Sequence, residues 1–484
     1  MKPATAVPRS PLHIWLIPVV WTVALGMWGL SRENSLWRDE AATWQVARRS
    51  TDDIVNMLEH VDVVHALYYL FMHGLFECFG PSTTILRLPS VLATAVGAAC
   101  VALLGRRLAG AWVGLAGGLV FGMLPAVQFY LQEGRPYALV AAGAGISTLL
   151  LVTALQGRDR RPYWVAYGCT VLVCGWLNWL ALLILPAHLA TLLWTRAGHG
   201  VPTRWATAAA AATTGALPLI LFSMNQSDQV SWIPPLTWHM MIGPAVLLVI
   251  GGLGSLLDRP RAGRLSAASV GLPLLAVPQL GLTGLSLFKP LFVDRYILFS
   301  LLGLALLIGV VLDAAVRGAA RRAPKASPWV IPATAAVAMI ALLPQSLSKR
   351  SPASRVDDVL AAAEQMRQVK EDGDGVLFIP AARRDTVLVS PDVSTGLRDI
   401  ALAETPEESG TLKGVEASPA RVRSAMLTQR RIILVTDAAP VARPTRGERD
   451  LTKIEVLKKY FTPVSDKQIR GRRVTVYEHL PTAP

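Results

Sequence analysis

Long apolar runs alternate with short polar segments over the first 346 residues of this 484-residue chain. A helix needs about 20 apolar residues to cross the hydrocarbon core of a bilayer, and runs of about this length recur along the sequence. The pattern predicts eleven membrane-spanning helices. They are expected near residues 11–30, 83–104, 111–128, 137–155, 162–177, 179–195, 205–223, 240–257, 267–287, 296–315 and 328–346.

Basic residues cluster in short loops between the spans, at 106–107, 158–161, 196–204, 259–264 and 317–325. The positive-inside rule assigns such loops to the cytoplasm. Lys2 and Arg9 place the N-terminus there as well, so an odd number of spans puts the C-terminus outside. Eleven of the fourteen acidic residues before position 347 then fall on the outer side, the exceptions being Asp159, Asp258 and Asp313.

The composition supports a membrane protein rather than a nucleic-acid-binding one. Only 17% of the residues are charged and 52% are hydrophobic, whereas soluble domains carry about 25% charged residues. The formal net charge of +14 comes largely from the predicted cytoplasmic loops, where it sets orientation. We therefore expect the lipid bilayer as a partner and no nucleic acid.

The first predicted outer loop, about residues 31–82, carries helical patterns of its own. Helices are predicted over 40–49, from an N-cap at Thr51 onward, and over 63–79. Such helices would lie along the membrane surface. Ionisable groups next to a membrane are costly and are often functional, so chemistry is to be sought in the outer loops of the 1–346 domain.

Residues 347–484 differ from the rest because their apolar runs are shorter and their charges more frequent. Strands are predicted at 375–380, 386–390, 431–437 and 472–479, and helices near 355–370, 418–430 and 451–461. This segment is expected to be a small extracytoplasmic α/β domain. It contains no dinucleotide-binding or P-loop motif, so no cofactor is predicted.

The outer loops contain both carboxylates and cations. Glycosyl transfer from a sugar phosphate needs a carboxylate that deprotonates the acceptor and cations that stabilise the leaving phosphate. Asp39 and Glu40 begin a helix, where paired acids often serve only as capping groups. Glu133 and Arg135 either pair with each other or contact substrate.

Two cations precede the tenth span. Lys289 and Arg295 lie close to the expected lipid headgroups, where snorkelling alone could explain them. Arg295 is the better phosphate ligand because its planar guanidinium makes two parallel bonds.

Trp232 and Trp238 are interpreted as interface anchors. His65 and His73 have poor spacing for a metal, so a divalent ion is possible but unsupported.

Six motifs follow one another over roughly residues 10–310. They are LWRDEA at 36–41, VHALYYL at 64–70, LRLPS at 86–90, QEGRPY at 132–137, WIPPL at 232–236 and RYI at 295–297. In this order they resemble the membrane-embedded glycosyltransferases of the GT-C fold, in particular glycosyltransferase family 39. That family includes the protein O-mannosyltransferases and the bacterial aminoarabinose transferase of lipid A.

The resemblance implies roles for three residues of the first loop. Asp39 matches the family's first-loop aspartate, the presumed catalytic base, and Glu40 matches its acidic neighbour. His65 matches the histidine of an HPPLYY-like motif, although Ala66 stands where the family usually has proline.

The later motifs imply donor or substrate binding. Glu133, Arg135 and Tyr137 match a QE-R-Y element, in which alanine is commoner than Gly134. Arg295, followed by Tyr296, matches a basic residue near the donor phosphate.

The resemblance implies an inverting transfer of a sugar, mannose or a similar hexose or pentose, from a polyprenyl-phosphate donor. The acceptor would be an extracytoplasmic protein, lipid or glycan. A multi-span transporter or lipid flippase is the alternative function, and a non-catalytic scaffold is another. Transporters tend to carry charges at mid-membrane, whereas the polar groups here gather at the ends of the spans.

Overall fold

The computed structural model describes residues 11–198, 200–226, 232–260 and 263–481. Lys2, Arg9 and Arg261, on which part of the predicted orientation rests, lie outside these residues. The chain divides into two compact units. Unit 1 comprises residues 1–30, 64–68 and 87–347, and unit 2 comprises 31–63, 69–86 and 348–484.

Helices make up almost all of the regular structure before residue 351. They are α1 (Pro11–Met27), α2 (Arg38–Ala47), α3 (Thr51–His60), α4 (Ala66–Phe79), α5 (Thr83–Leu108), α6 (Ala111–Met123), α7 (Pro125–Tyr130), α8 (Tyr137–Leu155), α9 (Arg161–Leu177), α10 (Ile184–Thr195), α11 (Gly200–Asn225), α12 (Ile242–Leu256), α13 (Ala267–Ser286), α14 (Leu301–Arg322) and α15 (Val330–Arg350). Short 3-10 helices at Val63–His65, Trp179–Leu183, Trp238–Met241, Asp294–Ser300 and Ser327–Trp329 precede α4, α10, α12, α14 and α15.

Every predicted span falls on a helix. Within the described residues, seven helices are long and apolar enough to cross a membrane: Thr83–Leu108, Tyr137–Leu155, Gly200–Asn225, Trp238–Leu256, Ala267–Ser286, Asp294–Arg322 and Ser327–Arg350. The other four predicted spans correspond to α1, α6, α9 and α10, which are shorter. The predicted polytopic helical architecture is confirmed.

Glycines let several helices of unit 1 pack backbone against backbone. A Cβ atom on Gly303 of α14 would lie 2.3 Å from the carbonyl oxygen of Gly271 in α13. One on Gly114 of α6 would lie 2.3 Å from the Ala102 oxygen in α5, and one on Gly309 would lie 2.7 Å from the Val113 oxygen in α6. Small residues provide such close packing in lipid, where apolar burial gives little driving force between helices.

Unit 2 contains a small α/β domain, as predicted. The strands are β1 (Gly375–Ile379), β2 (Arg398–Asp399), β3 (Leu402–Glu404), β4 (Val415–Glu416), β5 (Arg431–Asp437), β6 (Phe461–Ile469) and β7 (Arg472–His479). The five-stranded sheet has the order β2-β1-β5-β7-β6, with β1 parallel to β2 and β5, and β7 antiparallel to β5 and β6. Strands β3 and β4 form a separate antiparallel pair.

Helices cover both faces of this sheet because its central strands are apolar on both sides. Leu377 and Leu434 pack on one face with residues of α19 and α20, and Phe378 and Val435 pack on the other with residues of α16. The helices of this part are α16 (Val359–Val369), α17 (Asp385–Val389), α18 (Pro391–Ser394), α19 (Pro419–Leu427) and α20 (Glu448–Tyr460).

Several details of unit 2 differ from the sequence-based expectation, and the short strands β2, β3 and β4 are not predicted. The predicted strand at 386–390 is wrong, because Asp385–Val389 is a helix whose first residues bind Arg472. The strand Phe461–Ile469 was not predicted, since most of its positions are exposed and lack an apolar alternation. In the first loop the N-cap of α3 is Ser50 rather than Thr51, and its side chain accepts a hydrogen bond from the amide of Asp53.

The first-loop helices α2, α3 and most of α4 group with residues 348–484 in unit 2. Val46, Ile54, Met57 and Tyr69 form a buried apolar cluster, against which Leu412 packs. Arg49 donates to the carbonyl oxygen of Thr411 at 2.9 Å. The domain boundary predicted at 346/347 stays a prediction, while these contacts join the first loop to the segment beyond it.

The close approach of α13 and α14 gives a test of this packing. We expect Gly303→Val to destabilise the protein by about 1–3 kcal/mol or more, because the added side chain meets the backbone of α13. Thermal unfolding of the purified protein in detergent measures this. Gly318→Val on the same helix is the control, since a Cβ there meets nothing within 4 Å. Equal unfolding temperatures for the two variants would contradict the packing.

Candidate active site

The turn between α7 and α8, residues 131–136, carries two predicted site residues and is held by hydrogen bonds within unit 1. The side-chain amide of Gln132 donates to the carbonyl oxygens of Gly26 and Trp28 at 2.8 and 2.7 Å. The hydroxyl of Ser90 in α5 donates to the Glu133 carbonyl oxygen at 2.6 Å. These bonds fix the turn without using the Glu133 or Arg135 side chains.

Arg135 binds His65, which precedes α4. Arg135 Nη2 lies 2.8 Å from His65 Nε2. A guanidinium can only donate, so Nε2 must accept and the imidazole carries its proton on Nδ1. Arg135 and Glu133 are buried, and His65 is half-buried. The structure therefore brings together two predicted residues that lie 70 positions apart in the chain.

Arg295 lies among three aromatic rings. Its guanidinium carbon is 5.5 Å from the ring centres of Tyr137 and Trp232 and 5.9 Å from that of Tyr296. The Tyr137 and Tyr296 ring centres are 6.0 Å apart. Cation–π contacts of this kind orient a guanidinium. We call Arg295 and the rings of Tyr137, Trp232 and Tyr296 the aromatic box. Tyr137, Arg295 and Tyr296 are predicted site residues.

A cavity of about 290 Å³ lies beside this box. Tyr130 and Asp294 line it, and the Tyr130 hydroxyl donates to Asp294 Oδ1 at 2.9 Å. Most of the remaining lining is apolar and comes from α7, α12, the 3-10 helix Asp294–Ser300 and the start of α14, while α13 contributes Gln279. The cavity thus has a largely apolar lining that includes Asp294, the chain neighbour of Arg295. Its other lining residues are Ala126, Met240, Gly243, Pro244, Leu247, Gln279, Phe292, Ile297, Leu298 and Leu301.

Asp39 and Glu40 lie in the first turn of α2, in unit 2. Glu40 is fully buried, and its Oε2 lies 3.6 Å from Nη1 of Arg32, which is also buried. Asp39 is half-buried. The N-cap residue Trp37 makes no side-chain cap bond. Glu40 therefore has a structural ion pair, whereas the Asp39 carboxylate is the more accessible of the two acids.

The predicted site residues fall into separate groups. His65, Glu133 and Arg135 form one part of unit 1, and Tyr137, Arg295 and Tyr296 form another, connected through the turn before α8. Lys289 is exposed in the turn after α13. Sequence reasoning did not assign site roles to Ser90, Tyr130, Trp232 and Asp294, although all four lie in or beside the motifs.

Metal-ligand side chains are sparse in this arrangement. Among the residues that the structure describes, no three His, Cys, Asp or Glu side chains come together in a way that could hold a metal ion.

The fold is similar to that of solved membrane proteins. No protein-family model matches the sequence. No curated protein matches it either. The structure of ArnT from Cupriavidus metallidurans in the apo state superposes with a TM-score of 0.59 at 14% identity, over 95% of this chain and 97% of that one. ArnT bound to undecaprenyl phosphate gives 0.54 at 14% identity, over 96% and 98%.

A third similar structure is the archaeal oligosaccharyltransferase AglB from Archaeoglobus fulgidus, with a TM-score of 0.49 at 10% identity over 88% of this chain and 69% of the other. The two ArnT comparisons cover nearly the whole of both chains. The chain has the GT-C fold that its sequence motifs predict.

Proposed function

We propose that the protein is a membrane glycosyltransferase that moves a sugar from a polyprenyl-phosphate donor to a hydroxyl group on the outer side of the membrane. The observation that carries this proposal is the similarity of fold to ArnT, which extends over nearly the whole of both chains. ArnT has been solved with undecaprenyl phosphate bound. Fold alone does not define an activity, so the local chemistry has to agree with it.

The surroundings of Arg295 support a lipid-phosphate ligand. An isoprenoid chain needs an apolar channel and its phosphate needs a cation at the channel's polar end. The 290 Å³ cavity has a largely apolar lining, and Asp294, one of its lining residues, is the chain neighbour of Arg295. The guanidinium would bind two phosphate oxygens while the three aromatic rings hold it in place.

Asp39 is the residue we assign as base. In the proposed step it takes the proton of the acceptor hydroxyl as that oxygen attacks the anomeric carbon. The bond between the anomeric carbon and the phosphate oxygen breaks, and the lipid phosphate departs with the bonding electrons. Arg295 stabilises the charge that develops on it. A single displacement of this kind inverts the anomeric centre.

Glu40, His65, Glu133, Arg135, Tyr137, Lys289 and Tyr296 are proposed to support this reaction. Glu40 would hold the start of α2 through Arg32, and the His65–Arg135 pair would contact donor or acceptor. The likeness of the motifs to glycosyltransferase family 39 favours mannose or a similar hexose or pentose as the sugar. A protein, lipid or cell-envelope glycan would be the acceptor.

Removal of the Asp39 carboxylate charge tests the base. We expect Asp39→Asn to lower kcat about 100-fold or more, because general-base catalysis typically contributes that much. The full-length protein is assayed with undecaprenyl-phosphate mannose and the corresponding arabinofuranosyl and aminoarabinosyl lipids, and released undecaprenyl phosphate is measured by mass spectrometry.

Asp52→Asn is the matched control, since Asp52 is an exposed acid in the first turn of the next helix. Unchanged kcat in well-folded Asp39→Asn would remove Asp39 from the role of base. If the wild-type protein released no lipid phosphate from any donor but moved intact lipid across vesicle membranes, a flippase would be the correct function.

Replacement of the guanidinium tests the phosphate site. Arg295→Lys keeps the charge but loses the two-pronged fork and the stacking, so we expect the donor KM to rise about tenfold. Arg321→Lys, an exposed residue at the other end of α14, serves as control. An unchanged donor KM in Arg295→Lys would place the phosphate elsewhere.

Orientation in the membrane is tested with a fusion at the C-terminus. The charge pattern predicts that this end is extracytoplasmic. Alkaline phosphatase, which is active only after export, should therefore be active when fused after residue 481. A fusion in the basic loop at 158–161 should be inactive. The reverse pattern would contradict the assigned orientation and with it the side on which transfer occurs.

A further inference from the structure

A set of ion pairs within unit 2 connects the helix that carries Asp39 to the C-terminal sheet domain. Arg38, the first residue of α2, donates through Nε to Asp357 Oδ2 at 3.0 Å. Its Nη2 donates to Asp437 Oδ1 at 3.1 Å. The Asp357 side chain is fully buried and that of Asp437 is nearly so. Both carboxylates come from far along the chain.

Asp357 also caps the helix itself. Its Oδ1 accepts from the backbone amide of Arg38 at 3.0 Å. The first amides of a helix have no partner within the helix, and the N-cap residue Trp37 supplies no side-chain bond here. A carboxylate at this end is favoured by the helix dipole as well. Asp357, 319 residues away in the sequence, thus takes the place of a local cap for the turn that contains Asp39.

The backbone just before this helix is held by the same segment. The amide of Val359 donates to the carbonyl oxygen of Leu36 at 2.7 Å, and the amide of Leu36 lies 3.4 Å from Asp358 Oδ1. Arg470 binds Asp358 at 2.8 Å. Both the helix start and the residue two positions before it are therefore fixed by residues 357–359.

Arg38 occupies a characteristic place in an α/β sheet. Open sheets with parallel strands bind ligands at the carboxyl ends of those strands. Asp437 ends β5, and Arg383, which follows β1, lies 2.7 Å from it. The guanidinium of Arg38 reaches this edge and binds Asp437. In this sheet the Arg38 side chain, from the first loop, lies where ligands usually bind.

Asp357 is kept ionised and in place by a second arginine. Arg472 donates to Asp357 Oδ2 at 2.9 Å and to Asp385 Oδ1 at 2.6 Å, and its side chain is fully buried. Burial favours the neutral form of Asp357, but Arg472 and Arg38 outweigh it and hold the pKa of this carboxyl below its usual value. Removal of one member of this ion-pair cluster would leave another with an uncompensated buried charge, which is strongly unfavourable.

We infer that Asp357 is a positioning residue for the transfer reaction: through Arg38 and the α2 amide, the C-terminal domain sets the position of Asp39. This inference rests on the proposed function, since it takes Asp39 as the base. It gives residues 348–484 a role in catalysis that does not require them to bind donor or acceptor. Loss of the contact should slow the chemical step and leave donor binding in place.

The test compares two buried carboxylates of the same domain. Asp357→Asn weakens the contact with α2. Glu416→Gln weakens another buried cluster, in which Glu416 binds Lys453 at 2.8 Å and Arg384 at 3.0 Å. Glu416 makes none of the contacts with the first loop that are described above. Both variants lose one negative charge that has two basic partners, so their effects on domain stability should be similar.

We expect Asp357→Asn to lower kcat about 10- to 100-fold, the loss typical of a misplaced catalytic group, with the donor KM changed less than about twofold. Glu416→Gln should keep the wild-type kcat at temperatures where both variants are folded. Release of undecaprenyl phosphate from the three sugar lipids named above is the assay. Wild-type kcat in Asp357→Asn, or an equal loss in Glu416→Gln, would overturn the inference.

Hydrogen exchange gives a readout that does not depend on activity. Amides of residues 33–47 should exchange faster in Asp357→Asn than in the wild-type protein or in Glu416→Gln. Arg38→Gln provides a second variant if Asp357→Asn does not fold, because the Arg38 side chain is 26% exposed and its loss is better tolerated. It should show the same faster exchange and the same lowered kcat. Unchanged exchange in these variants contradicts the positioning role.

The inference and the proposed function can fail separately. If no donor is turned over by the wild-type protein, the proposed function fails, and the contact with α2 is then judged by exchange alone. If Asp39→Asn keeps full activity while Asp357→Asn loses it, the C-terminal domain positions a group other than Asp39. That outcome also overturns the inference.

Discussion

The absence of water in the hydrocarbon core is the constraint on which this structure depends. Backbone amides and carbonyls that cross a bilayer must find partners within the chain, which forces the long apolar segments into helices. Since apolar burial adds little between helices in lipid, close contact has to hold them together. Gly303 packs against the carbonyl of Gly271, and Gly114 packs against the carbonyl of Ala102. Both contacts are possible because Gly303 and Gly114 carry no side chain.

The same constraint explains where the polar groups of unit 1 are found. The turn at 131–136 lies between two apolar helices and its carbonyls need donors. Ser90 supplies one, and Gln132 in turn satisfies carbonyls at the end of α1. A turn that is fixed in this way can present Arg135 and lead into Tyr137, whose ring contacts Arg295. The six-residue turn at 131–136 thus contains both structural hydrogen bonds and candidate binding groups.

In unit 2 buried ion pairs fix geometry in addition to the apolar packing of the sheet. Buried ions are stable only when they are paired with good geometry, and this makes their positions specific. Arg472 and Arg38 share Asp357, and Arg38 and Arg383 share Asp437. A carboxylate that acts as a base requires a rigid support, since a small displacement lowers the reaction rate. The proposed role of Asp357 connects these two requirements.

The sequence by itself determined the features that depend on local pattern. Hydropathy predicted the helices of unit 1, and motif order predicted the GT-C fold. The sequence pattern also predicted the helices of the first loop and three of the seven strands of the C-terminal domain, β1, β5 and β7. Tertiary structure decided the rest. Asp385–Val389 is a helix despite its β-branched residues, and its first residues, Asp385 and Thr386, bind Arg472.

Other features depend on partners that are distant in the chain and leave no local signal. The exposed strand Phe461–Ile469 exists because it pairs with β7. Trp232, interpreted as an interface anchor, contacts Arg295. The cap of α2 comes from Asp357, which no pattern near residue 38 could indicate. Periodicity reports which face of a segment is apolar, but only the folded chain determines which charged groups meet there.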